Sequence, residues 1–260
     1  MNSIENNNGF KWEIGHGQVL ATAVHHGHLV RPEVLEYLAV SEEDRLRDED
    51  PFTGLWTNIG DHQLIIERSR FECDLNRLRN NSIYSGPEAA WGLNIYKKKL
   101  PDEIRKRSLK FYDDFYQSVE SFINLQLEEF SHLLVIDLHS YNHRRNGPKS
   151  KPADIKNNPE INLGTFYIKP FEMWSELIQV FETTLQSYDL VIKHNVPFKG
   201  GDFSQWINRK WAGVVCALTV EVKKIYMDEW TGEKNDYIFN HIGDALQKAT
   251  KVAKKKLREI

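Results

Sequence analysis

Three histidines, His25, His26 and His28, fall within four positions and are followed by Arg31 and Pro32. A neutral imidazole offers a nitrogen lone pair to a divalent metal or accepts a proton near pH 7. If the chain were extended here, His26 and His28 would project to one side and His25 to the other, but Gly27 permits a turn that breaks this alternation. His139 directly follows the apolar run Leu133–Leu138, with Asp137 two positions upstream. A carboxylate there can fix the tautomer of a metal-binding ring, or simply accept backbone hydrogen bonds at a strand end. Glu221 interrupts the apolar run Ala217-Leu218-Thr219-Val220-Glu221-Val222. Loss of hydration would raise its pKa towards that of a general base unless a cation lies close; a salt bridge to Lys223 or Lys224 is the plainer alternative. The stretch Glu67-Arg68-Ser69-Arg70-Phe71-Glu72-Cys73-Asp74-Leu75-Asn76-Arg77 sets closely spaced guanidinium groups beside an asparagine. Such a group suits an acidic substrate, because arginine stays charged and grips carboxylates with two parallel bonds. An ion-pair ladder with Glu67, Glu72 and Asp74 would use the same residues. Asn195–Asp202 contains paired glycines but lacks the GxxxxGK[ST] pattern of a phosphate loop.

These side chains need elements that bring them together. β-branched and apolar runs predict strands at Val19–Val24, Leu64–Glu67, Leu133–Leu138, Leu190–Lys193 and Val214–Val222. Helical spacing predicts one helix from Pro101 to about Phe130, with Phe115, Val119, Phe122 and Ile123 on one face, and another from about Asn235 to Leu257. Lysines in KATKVAKKK crowd the end of the second, where the helix dipole favours positive charge. Strands alternating with helices predict an α/β fold with a sheet covered on both faces, and ligands then sit beyond the carboxyl ends of the strands. The histidines and Glu221 all lie at such ends. No repeat or linker divides the chain, so a single domain over residues 1–260 is expected.

With 34 Lys+Arg against 37 Asp+Glu, the net charge of −3 supplies no basic field for nucleic acid. The apolar runs fall short of the ~20 residues of a membrane helix, and the opening MNSIENNNGFKW has no signal-peptide core. A soluble cytoplasmic protein is the expectation, with no membrane partner. Cys73 and Cys216, 143 positions apart, fit reduced structural thiols.

Taken in order, HHGHLVRPEV, RLRDEDPFT, RSRFECDLNR, VIDLHS, INLGT, NVPFKGG and ALTVEVKKIYMDEWTG resemble the N-formylglutamate amidohydrolase family, zinc-dependent deformylases distantly similar to zinc carboxypeptidases and aspartoacylase. The resemblance implies a carboxypeptidase-like (phosphorylase/hydrolase-like) fold with a central mixed, mostly parallel sheet. It implies about one Zn2+ per chain, held by His25, Asp50 and His139; the His-x-x-Glu of carboxypeptidases would instead place His28 where Asp50 is assigned. It implies Glu221 as the proton-transfer group, Arg70 as an oxyanion donor, and Arg70, Asn76 and Arg77 as the holders of the substrate's carboxylate and carbonyl. The substrate would be a small N-formyl or other N-acyl amino acid.

One segment departs from the family. Deformylases of histidine utilisation follow FKGG with Thr-Arg-His, whereas here Asp202-Phe203-Ser204-Gln205-Trp206 follows. That departure motivates a competing reading, a non-catalytic binding or regulatory protein on the same scaffold; a carboxypeptidase-type peptidase is a third possibility within the hydrolases. The stretch from Tyr141 to Asn162, with Arg144, Arg145, Lys149 and Lys151, has the composition of a loop and either forms a basic lid or is simply exposed.

Overall fold

A computed structural model describes residues 2–6 and 9–260. Its centre is one eight-stranded sheet, built from β1 (Asn2–Asn6), β2 (Phe10–Ile14), β3 (Val19–Ala23), β4 (His62–Ile66), β5 (Leu133–Tyr141), β6 (Ile161–Gly164), β7 (Ile192–His194) and β8 (Val215–Lys223). The order across the sheet is β1-β2-β4-β3-β5-β8-β6-β7. The central run β4-β3-β5-β8 is parallel, while β1, β2 and β6 make antiparallel joints. The fold is therefore α/β with a mixed, mostly parallel sheet.

The helices are α1 (Pro32–Leu35), α2 (Glu42–Asp48), α3 (Asp102–Gln126), α4 (Phe171–Gln186), α5 (Asp202–Lys210) and α6 (Asp236–Leu257). Ser41 and Asn235 cap α2 and α6, each accepting a hydrogen bond from a first-turn N–H that has no partner within its helix. Side chains alternate across each strand, so one face of β5 and β8 presents Leu134, Ile136, Leu138, Cys216, Leu218, Val220 and Val222 to Trp174, Phe181, Ile242 and Leu246 of α4 and α6. The other face presents Leu133, Val135, Val215 and Ala217 to Phe115, Val119 and Ile123 of α3 and to Phe203 and Ile207 of α5. A smaller core of Val34, Leu38, Phe71, Ile83, Tyr84, Ala90 and Ile95 lies under the long segment between β4 and α3 and fixes the arginine-rich stretch. Cys73 and Cys216 are buried free thiols. No helix among the described residues is long and apolar enough to cross a membrane.

The element boundaries differ from expectation in three informative places. β5 continues three residues beyond Leu138, because His139, Ser140 and Tyr141 keep pairing with Glu221, Val222 and Lys223 of β8; His139 is thus within the strand. α3 stops at Gln126, since Glu128 and Glu129 donate to carbonyls three residues back and tighten the winding. β1, β2 and β6 were not expected, being short and poor in β-branched residues.

Candidate metal centre

Two central strands deliver the acidic and imidazole groups side by side. Asp137 and His139 of β5 share the face of Leu133 and Val135, and His139 is in register with Glu221 of β8. Thr22 of β3, in register with Asp137, donates its hydroxyl to Asp137 Oδ1 (2.8 Å). His25 follows the end of β3, and its carbonyl accepts from Asp50 N (2.9 Å), so the turn after α2 is tied to the histidine by its backbone. Lys224, fully buried beyond the end of β8, donates Nζ to the carbonyls of Arg47 and Glu49 and to Asn142 Oδ1. Tyr226 donates to Pro51 O (2.9 Å), so Asp50 is clasped from both sides.

His25, Asp50 and His139 are all buried, and each offers a ligand atom within 4.8 Å of the other two. The rings stand edge to face with centroids 4.9 Å apart. Asp50 Oδ2 lies 3.1 Å from His139 Nδ1 and 3.6 Å from His25 Nδ1. The outer nitrogens face other carboxylates: His25 Nε2 lies 2.7 Å from Asp74 Oδ1, and His139 Nε2 lies 3.1 Å from Asp137 Oδ2. A carboxylate can only accept, so each outer nitrogen carries the hydrogen and a neutral ring keeps its lone pair on Nδ1. Two lone pairs and a carboxylate oxygen then converge, with a carboxylate behind each ring, which is the donor chemistry that holds a divalent metal.

Without an ion, a proton takes the metal's place on His139. Burial acts to raise the Asp50 carboxyl, but hydrogen bonds from His139 and His25 overcome it and hold its pKa well below the usual carboxylate range. Burial acts to lower His139, and the charge of Asp137 overcomes it and keeps the ring protonated well above the ordinary imidazole range. Such a proton is one that a metal ion would displace. Glu221 is half-buried, and desolvation pushes its carboxyl up to about 7, the cationic His139 opposing the rise. It accepts no hydrogen bond among the described residues and faces the same cavity as the three candidate ligands, a cleft of about 850 Å³.

Arg70, Asn76 and Arg77 line that cleft as well. Arg70 donates from all three guanidinium nitrogens, to Tyr84 Oη (3.1 Å), Asp48 O (3.3 Å) and Asp74 Oδ2 (2.8 Å), and keeps one further N–H on each terminal nitrogen. Arg77 pairs with Asp74 through Nε at 3.3 Å, and its backbone N–H donates to Asp74 O (3.3 Å). Asn76 Oδ1 accepts from Phe203 N at the start of α5 (3.0 Å), and its Nδ2 lies 3.4 Å from His139 Nε2.

Residues 17–227 match the family model described as N-formylglutamate amidohydrolase. The chain belongs to the N-formylglutamate amidohydrolase family. It is accordingly a hydrolase acting on amide bonds. Its fold is similar to the crystal structure of an N-formylglutamate amidohydrolase from Ralstonia eutropha, at 20% identity and a TM-score of 0.77 over 97% of this chain and 99% of that one. It is also similar to that of a gene product from Agrobacterium tumefaciens, at 15% identity and a TM-score of 0.63 over 94% and 95% of the two chains. No curated protein matches.

Within this family member, the histidine cluster divides. His28 turns away from the centre to Glu49, Glu42 and Arg45, and it is Asp50 that stands with His25 and His139. His26 is half-buried with its ring against Gly54, and its Nδ1 has no hydrogen-bond partner. The arginine stretch is not a surface ladder: Glu72 and Asp74 are fully buried, and Asp74 binds His25, Arg70, Tyr84 and Arg77 together. Asp74, Tyr84 and Lys224 escaped sequence reasoning as parts of the site. The available signal was the interleaving of the acids with Phe71, Cys73 and Leu75, which are buried too.

The FKGG turn brings its glycine backbone against the site, because a Cβ on Gly201 would lie 2.1–2.3 Å from the Asn76 side chain. The departing segment after it builds α5, with Phe203 in the core and Asp202 accepting from Leu78 N (3.0 Å). Of the basic loop residues, Arg145 lines the cleft, and Arg144 reaches Asp228 instead (3.4 Å). Glu229 accepts from the backbone N–H groups of His143 and Arg144 and anchors the start of that loop.

Proposed function

We propose that this chain is a zinc-dependent amidohydrolase that cleaves an N-formyl or other N-acyl amino acid, N-formylglutamate-like in its acidic group, to a carboxylate and the free amino acid. The observation that carries this reading is the meeting of His25, Asp50 and His139 with Glu221 and the Arg70, Asn76 and Arg77 group in one cleft. Two imidazole nitrogens and one carboxylate oxygen suit zinc, which in hydrolytic sites takes three protein donors and leaves a fourth place for water or substrate. When bound, the ion supplies Lewis acidity and lowers the pKa of its water towards about 7.

The protein's own groups do the rest. Glu221, which faces the same cleft as the three candidate ligands, removes a proton from the attacking water and returns it to the nitrogen of the breaking C–N bond. Arg70 turns a spare N–H towards the carbonyl oxygen as negative charge develops there; one such donor is commonly worth about 10² to 10³ in rate. Arg77 and Asn76 hold the carboxylate of the amino acid and so set the scissile carbonyl against the metal, a matter of positioning.

The test is metal analysis combined with formate release from N-formyl-L-glutamate. About one zinc per chain is expected, and Glu221→Gln should keep the metal while losing about 10² to 10⁴ in kcat. Full activity in that variant would remove Glu221 from the mechanism, and a pure protein that takes up no zinc would remove the metal. Cleavage of peptides in preference to N-acyl amino acids would favour the peptidase, and turnover of neither would favour the binding protein.

A further inference from the structure

Trp91 is the least expected residue of the cleft wall. The residue is 59 % exposed, and its backbone takes a left-handed conformation (φ 53°) that bulky residues rarely adopt. Gly92 follows with φ 91°, so two successive left-handed residues turn the chain back on itself. Hydrogen bonds from Gly92 N to Pro87 O and from Leu93 N to Ala90 O, both 2.8 Å, lock the turn.

What the turn achieves is to bring the indole onto the arginines. The Arg70 guanidinium carbon lies 4.8 Å from the Trp91 ring centre, and that of Arg77 lies 5.6 Å from it. Arg77 is also 4.7 Å from the Tyr84 ring, so two rings that themselves stand 6.1 Å apart at 60° hold its planar cation. Its Nε stands 3.3 Å from Asp74 Oδ2 in an ion pair. Its two terminal nitrogens donate to no protein acceptor among the described residues, and that is the edge which grips a carboxylate with two parallel bonds. Arg70, by contrast, already donates from every nitrogen.

We propose that Trp91 is a positioning residue for the substrate's carboxylate: with Tyr84 it fixes the plane of Arg77 so that the free terminal edge faces the cleft. This inference rests on the proposed hydrolase reading for its substrate but not for its test. Ring faces attract a guanidinium through their negative quadrupole and restrict its rotation, so the carboxylate meets a donor pair whose orientation is already set.

The experiment compares N-formyl-L-glutamate with the same compound carrying an amide in place of its α-carboxylate, on zinc-loaded enzyme. Trp91→Ala should raise KM for the acid about five- to twentyfold, the span of a cation–π contact, with kcat within about twofold and KM for the amide unchanged. Trp91→Phe should restore the wild-type KM, whereas Trp91→Leu, apolar but without a quadrupole, should behave like alanine. An unchanged acid-to-amide KM ratio in Trp91→Ala, or full rescue by leucine, overturns the proposal. Calorimetric titration with L-glutamate needs no turnover and separates the two readings. Should wild type hydrolyse neither compound, the hydrolase reading fails, and weaker glutamate binding by Trp91→Ala than by wild type still supports the role of Trp91. Equal affinities, or no binding to wild type at millimolar glutamate, would overturn it.

Discussion

Asp50, Asp74 and Asp137 are all buried carboxylates, yet only Asp50 faces both imidazoles through their inner nitrogens, while the other two sit behind the rings. Glu221 differs from all three, having no hydrogen bond to favour its charged form, so desolvation dominates and its carboxyl rises from 4.5 to about 7. In metal-free protein the folded state then keeps a proton that the unfolded chain gives up between those two values. Stability must fall as pH rises across that window, by about 3 kcal/mol from this group. Glu221→Gln removes the effect, so the chelated variant should match chelated wild type near pH 4 and exceed it by roughly that amount above pH 7 in denaturant melts. A difference that does not vary with pH would mean that Glu221 is hydrated. His25, His139 and Glu221 were legible in the sequence because each is a polar residue in or just beyond an apolar strand. Asp74 was not, since a sequence of alternating acids and arginines looks the same whether its ion pairs face solvent or a buried imidazole.

Among the elements, β3, β5 and β8 set the site and the FKGG turn closes it. Because the turn packs its glycine backbone onto Asn76, Gly201→Ala should push the Asn76 side chain out of place and break its bond to Phe203 N. The expected cost is about 1–3 kcal/mol of stability, as for other overpacked sites. KM for N-formyl-L-glutamate should rise as well; a variant with wild-type melting and wild-type KM would show that Asn76 has room to move. The strands around the site were predicted within a few residues, their apolar runs being covered on both faces. The continuation of β5 through His139 was hidden because its last residues are polar and are kept in the ladder by β8 rather than by their own propensity. β2 was missed for another reason: Phe10, Trp12 and Ile14 alternate with Lys11 and Glu13, a two-residue period without a β-branched run.

For the molecule as a whole, a net charge of −3 conceals a cleft lined by Arg47, Arg70, Arg77, Arg145, Lys199 and Lys224 against Asp48, Asp50 and Glu221. A cationic cleft in an acidic protein attracts small anions without attracting polyanions to the rest of the surface. The centre also joins residues far apart in sequence, so filling it stabilises the entire fold. Free zinc at a hundred times its Kd should add about 2.7 kcal/mol and raise Tm by roughly 5 to 10 °C over chelated protein, as calorimetry can measure. Equal midpoints would mean that the ion binds outside the folded site. Lys224 ties itself to carbonyls 177 and 175 residues upstream, at Arg47 and Glu49, and β8 enters the sheet between β5 and β6, both made earlier. During translation the Asp50 turn therefore has to wait, without its clasp, until Lys224 and Tyr226 have left the ribosome. Fragments ending before β8 should accordingly take up less added zinc than chains that include Lys224, as metal analysis can check.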